Sequence, residues 1–185
     1  MNPRKKLYAL SVLLLLSVFA VSCGEARKAN KLIDEGNAAV KEAEKFANEA
    51  DAKMNEIDNS LGDFPQNRDQ LKPLAQTAID DLDKGIAKLR EAASKYDEGS
   101  KTNLDAPLKE YLSLKSQEYG KHADHLEAAK GLANLVIDPA IEDGDALKAK
   151  GTQILERIEK LKQEWTDLAA RADKIQQENK DKFKS

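Results

Sequence analysis

The chain has 185 residues, a length typical of one domain, with 41% hydrophobic and 34% charged residues. Its content of Ala, Leu and Ile excludes a disordered chain, and its net charge of -3 argues against a nucleic-acid-binding protein, which usually presents a basic face. The single cysteine excludes an internal disulfide framework.

The first residues have the composition of an export signal. Three consecutive positive residues, Arg4 to Lys6, precede an apolar run from Leu7 to Ala20. This run is shorter than the roughly 20 residues that cross a bilayer as a helix, and it suits the core of a signal peptide. The sequence therefore predicts a cleaved signal peptide over residues 1–22.

The end of this segment, Ala20-Val21-Ser22-Cys23, resembles the lipobox of bacterial lipoproteins. Val21 and Ser22 fit that pattern, whereas Ala20 stands where a larger aliphatic residue is usual. The resemblance implies that Cys23 receives a diacylglyceryl group, becomes the mature N-terminus and is often acylated with a fatty acid such as palmitate. The alternatives are an ordinary signal peptide with an incidental cysteine and an uncleaved anchor.

The same resemblance implies a location in the bacterial cell envelope. In diderm bacteria, an Asp after the lipidated cysteine commonly retains a lipoprotein in the inner membrane, and this chain has Gly24 instead. By that analogy, we expect the periplasmic face of the outer membrane. Each buried acyl CH₂ contributes about 0.8 kcal/mol, so two or three chains would hold the protein to the bilayer through Cys23.

After a lipid-anchored N-terminus at residues 23–25, residues 26–185 are expected to form a single all-α domain. Ala and Leu favour helix over strand, and β-branched residues are scarce. Small or apolar residues recur at alternating spacings of three and four, which is typical of helices packed side by side. In the second segment, these seam positions are Leu71, Ala75, Ala78, Leu82, Gly85, Leu89, Ala92 and Tyr96. The third seam is less regular because it includes Lys115 and His122.

Turn-forming residues divide the domain into four helices. Residues 59–67 end the first, residues 98–103 end the second, and Asp105 with Pro107 can start the third. Asp138-Pro139 has the form of an N-cap followed by Pro, but Asp143-Gly144-Asp145 offers a start for the fourth helix near 145. The prediction is an antiparallel up-down-up-down four-helix bundle with long, coiled-coil-like helices. The alternative is three long helices, the last kinked at Pro139.

In such a bundle, the first and third connections share the end farthest from Cys23. This end, the tip, is rich in acidic residues, and Phe64, Ile137 and Ile141 are expected to give it an apolar surface. The candidate partner-binding residues are Phe64, Asp138, Glu142, Asp143 and Asp145. At the other end, a set of lysines and Phe183 are expected near the headgroups: Lys101, Lys174, Lys180, Lys182 and Lys184. A solvated acidic loop and a frayed basic tail are the alternatives.

Little in the sequence points to chemistry. His122 and His125 are weak metal candidates, because they share a helix face but lack the Glu-x-x-His pattern of di-iron bundles. No motif for phosphate, dinucleotide or peptide hydrolysis occurs, so no catalytic residue and no cofactor are predicted. The expected function is a non-enzymatic helical scaffold or protein-interaction module with an envelope protein as partner. The alternative is a ligand-binding or sensory bundle, with its site near Tyr119, His122 and Trp165. Oligomeric state stays open.

Overall fold

Four long helices pack against each other as a four-helix bundle, as predicted. The computed structural model describes residues 23–183, and the predicted signal peptide lies outside the described residues. The helices are α1 (Cys23–Ser60), α2 (Arg68–Ser100), α3 (Ala106–Ile137) and α4 (Gly144–Glu178), with a short 3₁₀ turn at Leu61–Asp63. At 1.5 Å per residue, they are roughly 48–57 Å long. This part of the chain contains no strand.

Successive helices run antiparallel. Between α1 and α2, Glu35 pairs with Lys95 at 2.7 Å and Glu42 pairs with Lys88 at 2.9 Å. A higher residue number in α1 therefore faces a lower one in α2, as in antiparallel helices. The same reversal relates α2 to α3 and α3 to α4. The up-down-up-down order follows from these pairs.

The extensive interfaces join helices that are neighbours in sequence. α2 lies between α1 and α3, and α4 is attached chiefly through α3. Burial follows this order. All of the predicted α2 seam is buried, together with Ile79 and Ile86, because α1 and α3 both pack into one apolar core with α2. In α4 the apolar residues that recur at spacings of three and four, from Leu147 to Ile175, are less exposed than their neighbours, but only Leu161 and Ala172 are buried.

α3 has two buried faces. Leu112 and Leu126 of the predicted seam pack into the core shared with α1 and α2. Leu114 and Leu135 lie off that seam and are also buried, because α4 covers a second face of the helix. Along this second face, Gly131 lies against Ile154 of α4. A helix covered on two sides shows a blurred apolar period, which explains the irregular third seam.

The fourth helix begins at Gly144, at the later of the two predicted starts. The Asp143 carboxylate accepts a hydrogen bond from the Ala146 N–H at 2.8 Å, which is the N-cap interaction. Asp138 instead accepts from the Ala140 N–H at 2.9 Å and stabilises a turn that carries Pro139. The alternative of one long helix kinked at Pro139 is wrong, because α3 ends at Ile137 and α4 reverses direction.

No helix between residues 23 and 183 is long and apolar enough to cross a bilayer.

Candidate functional site

One end of the bundle, here called the base, gathers the start of α1, the α2–α3 connection and the C-terminal residues 179–183. The Asn103 N–H donates to the Glu25 carboxylate of α1 at 3.4 Å. Lys182 pairs with Asp105 at 2.9 Å, and the two groups are each about two-fifths exposed. α1 includes residues 23–25, which the sequence placed ahead of it, so no linker separates Cys23 from the bundle.

The C-terminal segment folds back onto α3. The Phe183 ring meets the Tyr111 ring edge-on, with centroids 5.1 Å apart. The sequence placed Phe183 at a membrane surface, whereas in the structure it is half-buried against Tyr111. An aromatic pair of this geometry contributes about 1 kcal/mol beyond its buried area, and together with the Lys182–Asp105 pair it favours the docked position of the segment.

The predicted basic group at the base is largely neutralised within the chain. Lys101 pairs with Asp97 and Lys174 with Glu178, both along their own helices, and Lys182 pairs with Asp105. Lys180 is exposed, and Lys184 lies outside the described residues. These paired carboxylates reduce the attraction that an anionic surface would exert on the lysines.

The tip differs from its predicted form. Phe64 is only 7% exposed and Ile141 is fully buried, and both belong to an apolar cluster with Ile57 of α1. The Arg68 guanidinium lies over the Phe64 ring at 4.7 Å. Phe64 therefore closes the core of the tip and does not add to its surface, because the 3₁₀ turn after α1 directs the ring inwards.

The acidic residues of the tip divide into two kinds. Asp138 and Asp143 are engaged by the backbone, as an Asx turn and an N-cap. Glu142 and Asp145 are exposed, and among the described residues neither forms an ion pair. Of the predicted partner-binding set, Glu142 and Asp145 are thus the members with free carboxylates at the surface. Binding of a partner at this tip stays a prediction.

His122 and His125 lie in the α3–α4 interface. The His122 ring stacks on the Trp165 indole, with centroids 4.8 Å apart and an angle of 15°, and the His125 ring lies 5.9 Å from that of His122. Burial, together with the neighbouring His125, lowers the pKa of His122 to about 4. The pKa of His125 is also lowered, chiefly by burial and to a lesser extent by the positive charge of Lys162, while the Glu159 carboxylate opposes the change.

These histidines do not have the surroundings of a metal site. No group of three or more His, Cys, Asp or Glu side chains within residues 23–183 is arranged to hold a metal ion. The buried Nδ1 of His125 and the buried Nε1 of Trp165 have no hydrogen-bond partner in this region. Each unpaired polar atom of this kind costs about 1–3 kcal/mol, so the α3–α4 interface is imperfectly satisfied at its centre.

A buried polar cluster that the sequence did not predict lies nearer the base. Lys115 and Glu118 form an ion pair at 2.7 Å, with side chains only 14% and 8% exposed. The Lys115 ammonium also lies 4.6 Å from the centre of the Tyr119 ring. Burial raises the pKa of the Glu118 carboxyl, and Lys115 opposes this. The available signal was Lys115 itself, a charged residue at a seam position with an acid three residues later.

This cluster continues into α1 and α2. The Tyr119 and Tyr96 rings are 5.3 Å apart, and the Tyr96 hydroxyl donates to the Asn37 side chain at 2.5 Å. Burial raises the pKa of both tyrosines. These contacts link α1, α2 and α3, which favours a structural role over a reactive one. The buried Glu118 Oε2 has the Lys115 ammonium beside it but no well-formed hydrogen bond.

On the outer side of α3, a shallow groove of about 360 Å³ lies between α2 and α4. It is lined by Arg90, Gln117, Gly120, Lys121, Asp124 and Leu168. Lys121 pairs across it with Glu164 at 2.8 Å. A groove this open and polar offers little enclosure to a small ligand.

Comparison with known proteins gives no relative from which a function could be carried over. The chain matches no family model, and neither the curated proteins nor the solved structures give a match.

Proposed function

We propose that this protein is a membrane-anchored lipoprotein of the bacterial envelope that acts as a non-enzymatic helical scaffold or protein-interaction module. The lipobox-like sequence ending at Cys23 motivates the anchor. The observation that carries the proposal is that α1 begins at Cys23 and runs without a break for 38 residues into the bundle. A lipid on Cys23 would thus be joined directly to a stiff helix.

This arrangement would orient the whole domain. The base would lie against the bilayer, because the α2–α3 connection and the C-terminal segment share the end of the bundle where α1 begins. The tip would stand roughly 50 Å away, given the rise of an α-helix. A rod held in this way can present Glu142 and Asp145 to a partner at a set height above the membrane.

Membrane attachment would depend on the acyl chains more than on charge. The lysines of the base are mostly paired with carboxylates of the same chain. Two or three acyl chains, at about 0.8 kcal/mol for each buried CH₂, supply far more than about 1 kcal/mol from a lysine near an anionic surface. We therefore expect Cys23 to decide the location.

Metabolic labelling with an alkyne analogue of palmitate tests the anchor. The full-length protein is produced in a diderm bacterium, and label incorporation and membrane fractionation are measured for wild type, Cys23→Ala and the matched control Ser22→Ala. Wild type and the control, which keeps a small residue before the cysteine, should carry label and sediment with membranes. Unlabelled wild-type protein, or an unchanged membrane fraction for Cys23→Ala, would contradict the anchor.

Crosslinking in intact cells, followed by mass spectrometry, tests the interaction role. A specific partner should be captured by wild type and lost in Cys23→Ala. Charge reversal at the tip, Glu142→Lys with Asp145→Lys, should also abolish capture, whereas reversal of the exposed Glu156→Lys on the side of α4 should not. The scaffold proposal is contradicted if no specific partner is captured, or if the tip variant captures the partner as well as wild type does.

A second candidate function is favoured by the unpaired Trp165 Nε1 and His125 Nδ1 in the α3–α4 interface. We propose as the alternative that a small polar ligand binds there after a modest separation of α4. Screening of polar aromatic compounds by thermal denaturation should then find one that raises the melting temperature of wild type but not of Trp165→Phe. Equal shifts in both proteins would place binding elsewhere.

A further inference from the structure

We propose that the α3–α4 interface is a pH-sensitive latch: protonation of His122 and His125 releases α4 from an otherwise intact α1–α3 core. This proposal does not depend on the membrane anchor. It rests on where both histidines of the chain are placed and on how α4 is attached.

The first observation is the attachment of α4. Among the described residues, its one extensive interface is with α3, and only Leu161 and Ala172 of α4 are buried; Ala146, Leu147 and Ile154 pack, partly buried, against the tip cluster. α1, α2 and α3 instead share a continuous apolar core that extends from Tyr96 to Leu82 along α2. Loss of the α3–α4 interface would therefore leave the core of the other three helices largely in place.

The second observation is the geometry at the middle of that interface. His122 is stacked face to face on Trp165 of α4, at 4.8 Å, with His125 one turn further along α3. The stacked ring is largely removed from solvent, and this burial favours the neutral imidazole. A protonated ring must recover solvent or an anionic partner, because burying an unpaired charge is unfavourable.

The charged groups around the two rings do not provide such a partner. On α4, Lys162 faces His125 and outweighs Glu159, and Glu164 is engaged by Lys121 of α3. On α3, Glu118 is engaged by Lys115, and Asp124 lies beside Lys121. On α2, Arg90 is paired with Glu127 of α3. A second proton would add repulsion between the two imidazoliums, which are neighbours.

The direction of the effect follows from these surroundings. Neutral histidines are favoured in the docked state, so docking is strongest above the ordinary histidine pKa of about 6.5 and weakens as the pH falls toward about 4. Separation of α3 and α4 would hydrate both imidazoles. It would also give Trp165 Nε1 and His125 Nδ1 the hydrogen bonds that they lack in the docked state.

The test is amide hydrogen exchange of the full chain at about pH 7.5 and about pH 4.5, corrected for intrinsic rates and read by mass spectrometry. We expect protection of α4 to fall by about tenfold or more on acidification, while α1 and α2 change by less than about twofold. The sole tryptophan, Trp165, gives an independent reading through a red shift of its emission. Equal loss of protection in all helices would indicate general acid unfolding and would overturn the latch.

A matched variant separates the histidines from other titrating groups. His122→Phe with His125→Gln keeps an aromatic ring on Trp165 and removes both titrations, so α4 should stay protected at the lower pH. The same acid response in this variant would overturn the proposal. If the variant does not fold, NMR titration of the wild-type imidazoles decides: titration near pH 6.5 with α4 still protected would also overturn it.

Discussion

The backbone of Gly36 in α1 lies directly against the ring of Tyr96 in α2. A Cβ placed at position 36 would be 2.8 Å from Tyr96 Cε2, closer than non-bonded carbon atoms approach. The ring cannot easily move, because Tyr96 is fully buried, packs on Tyr119 and donates its hydroxyl hydrogen bond to Asn37. The absence of a side chain at Gly36 is thus what lets α1 approach the polar cluster.

Gly36→Ala should therefore destabilise the protein. Overpacking of a rigid core costs about 1–3 kcal/mol, and the gain in helix propensity recovers about 1 kcal/mol. We expect a net loss of about 1 kcal/mol in the free energy of unfolding, measured by urea denaturation.

Gly120→Ala in α3 is the matched control for this prediction. A Cβ at position 120 would meet nothing within 4 Å. Only the propensity gain remains, so this variant should be more stable than wild type by up to about 1 kcal/mol. Changes of the same sign in Gly36→Ala and Gly120→Ala would contradict the close approach of Gly36 to Tyr96.

The N-cap of α4 gives a second prediction. Asp143→Ala removes the carboxylate that accepts from the Ala146 N–H, and it should lower the free energy of unfolding by about 1 kcal/mol. Asp145 lies two residues later, in the first turn of α4, and is exposed. Asp145→Ala removes only a favourable interaction with the helix dipole and should lower the free energy of unfolding by about 0.3 kcal/mol. If the two losses are equal, the cap does not form as described.

Asp138 and Asp143 also show what the sequence could and could not predict. Each is an Asp ahead of a helix-compatible segment, and local chemistry even favoured Asp138 because Pro139 follows it. Asp143 is the N-cap of α4 because residues 138–143 must reverse the chain and bury Ile141 against the tip cluster. This requirement comes from tertiary packing, so the sequence around the two aspartates does not show it.

The helices differ in how well the sequence predicted their buried faces. The α2 seam was predicted in full, because α1 and α3 meet α2 in one shared apolar core and a single regular period of α2 serves both. In α3, Leu114 and Leu135 were missed because α4 covers a second face, and the sequence does not state which helix covers which face. Phe64 was assigned to the surface because turn residues are usually exposed, and only the closure of the tip buries it.

The fold of the C-terminal segment gives a third prediction. Phe183→Ala should release residues 179–183 from α3 and lower stability by about 1–2 kcal/mol, because it removes the edge-on contact with Tyr111 and exposes that ring. Lys182→Gln removes only a partly exposed ion pair with Asp105 and should lower stability less than Phe183→Ala does. Limited digestion with carboxypeptidase should be faster for Phe183→Ala than for Lys182→Gln; equal rates would show that the ring contact does not hold the segment.

The buried Lys115–Glu118 pair gives a prediction with a defined pH dependence. Lys115→Met leaves the Glu118 carboxylate buried without its partner, and at neutral pH this should lower the free energy of unfolding by about 3 kcal/mol. Burial already raises the pKa of Glu118 in the folded protein, and removal of Lys115 raises it further. The protonated acid is then the form that the folded state favours. The stability lost at neutral pH should return as the pH falls through the folded-state pKa of Glu118.

Glu118→Gln is the control for the pH dependence. The amide oxygen can still accept from Lys115, and the ammonium keeps its position over the Tyr119 ring, so the loss should be smaller, about 1–2 kcal/mol. This variant has no carboxyl at position 118, so its deficit relative to wild type should not shrink on acidification as that of Lys115→Met does. Denaturant titrations of both variants and wild type, between about pH 7 and about pH 5, measure the difference. If the two deficits vary with pH in parallel, the recovery comes from another group and Glu118 is not the buried acid that titrates.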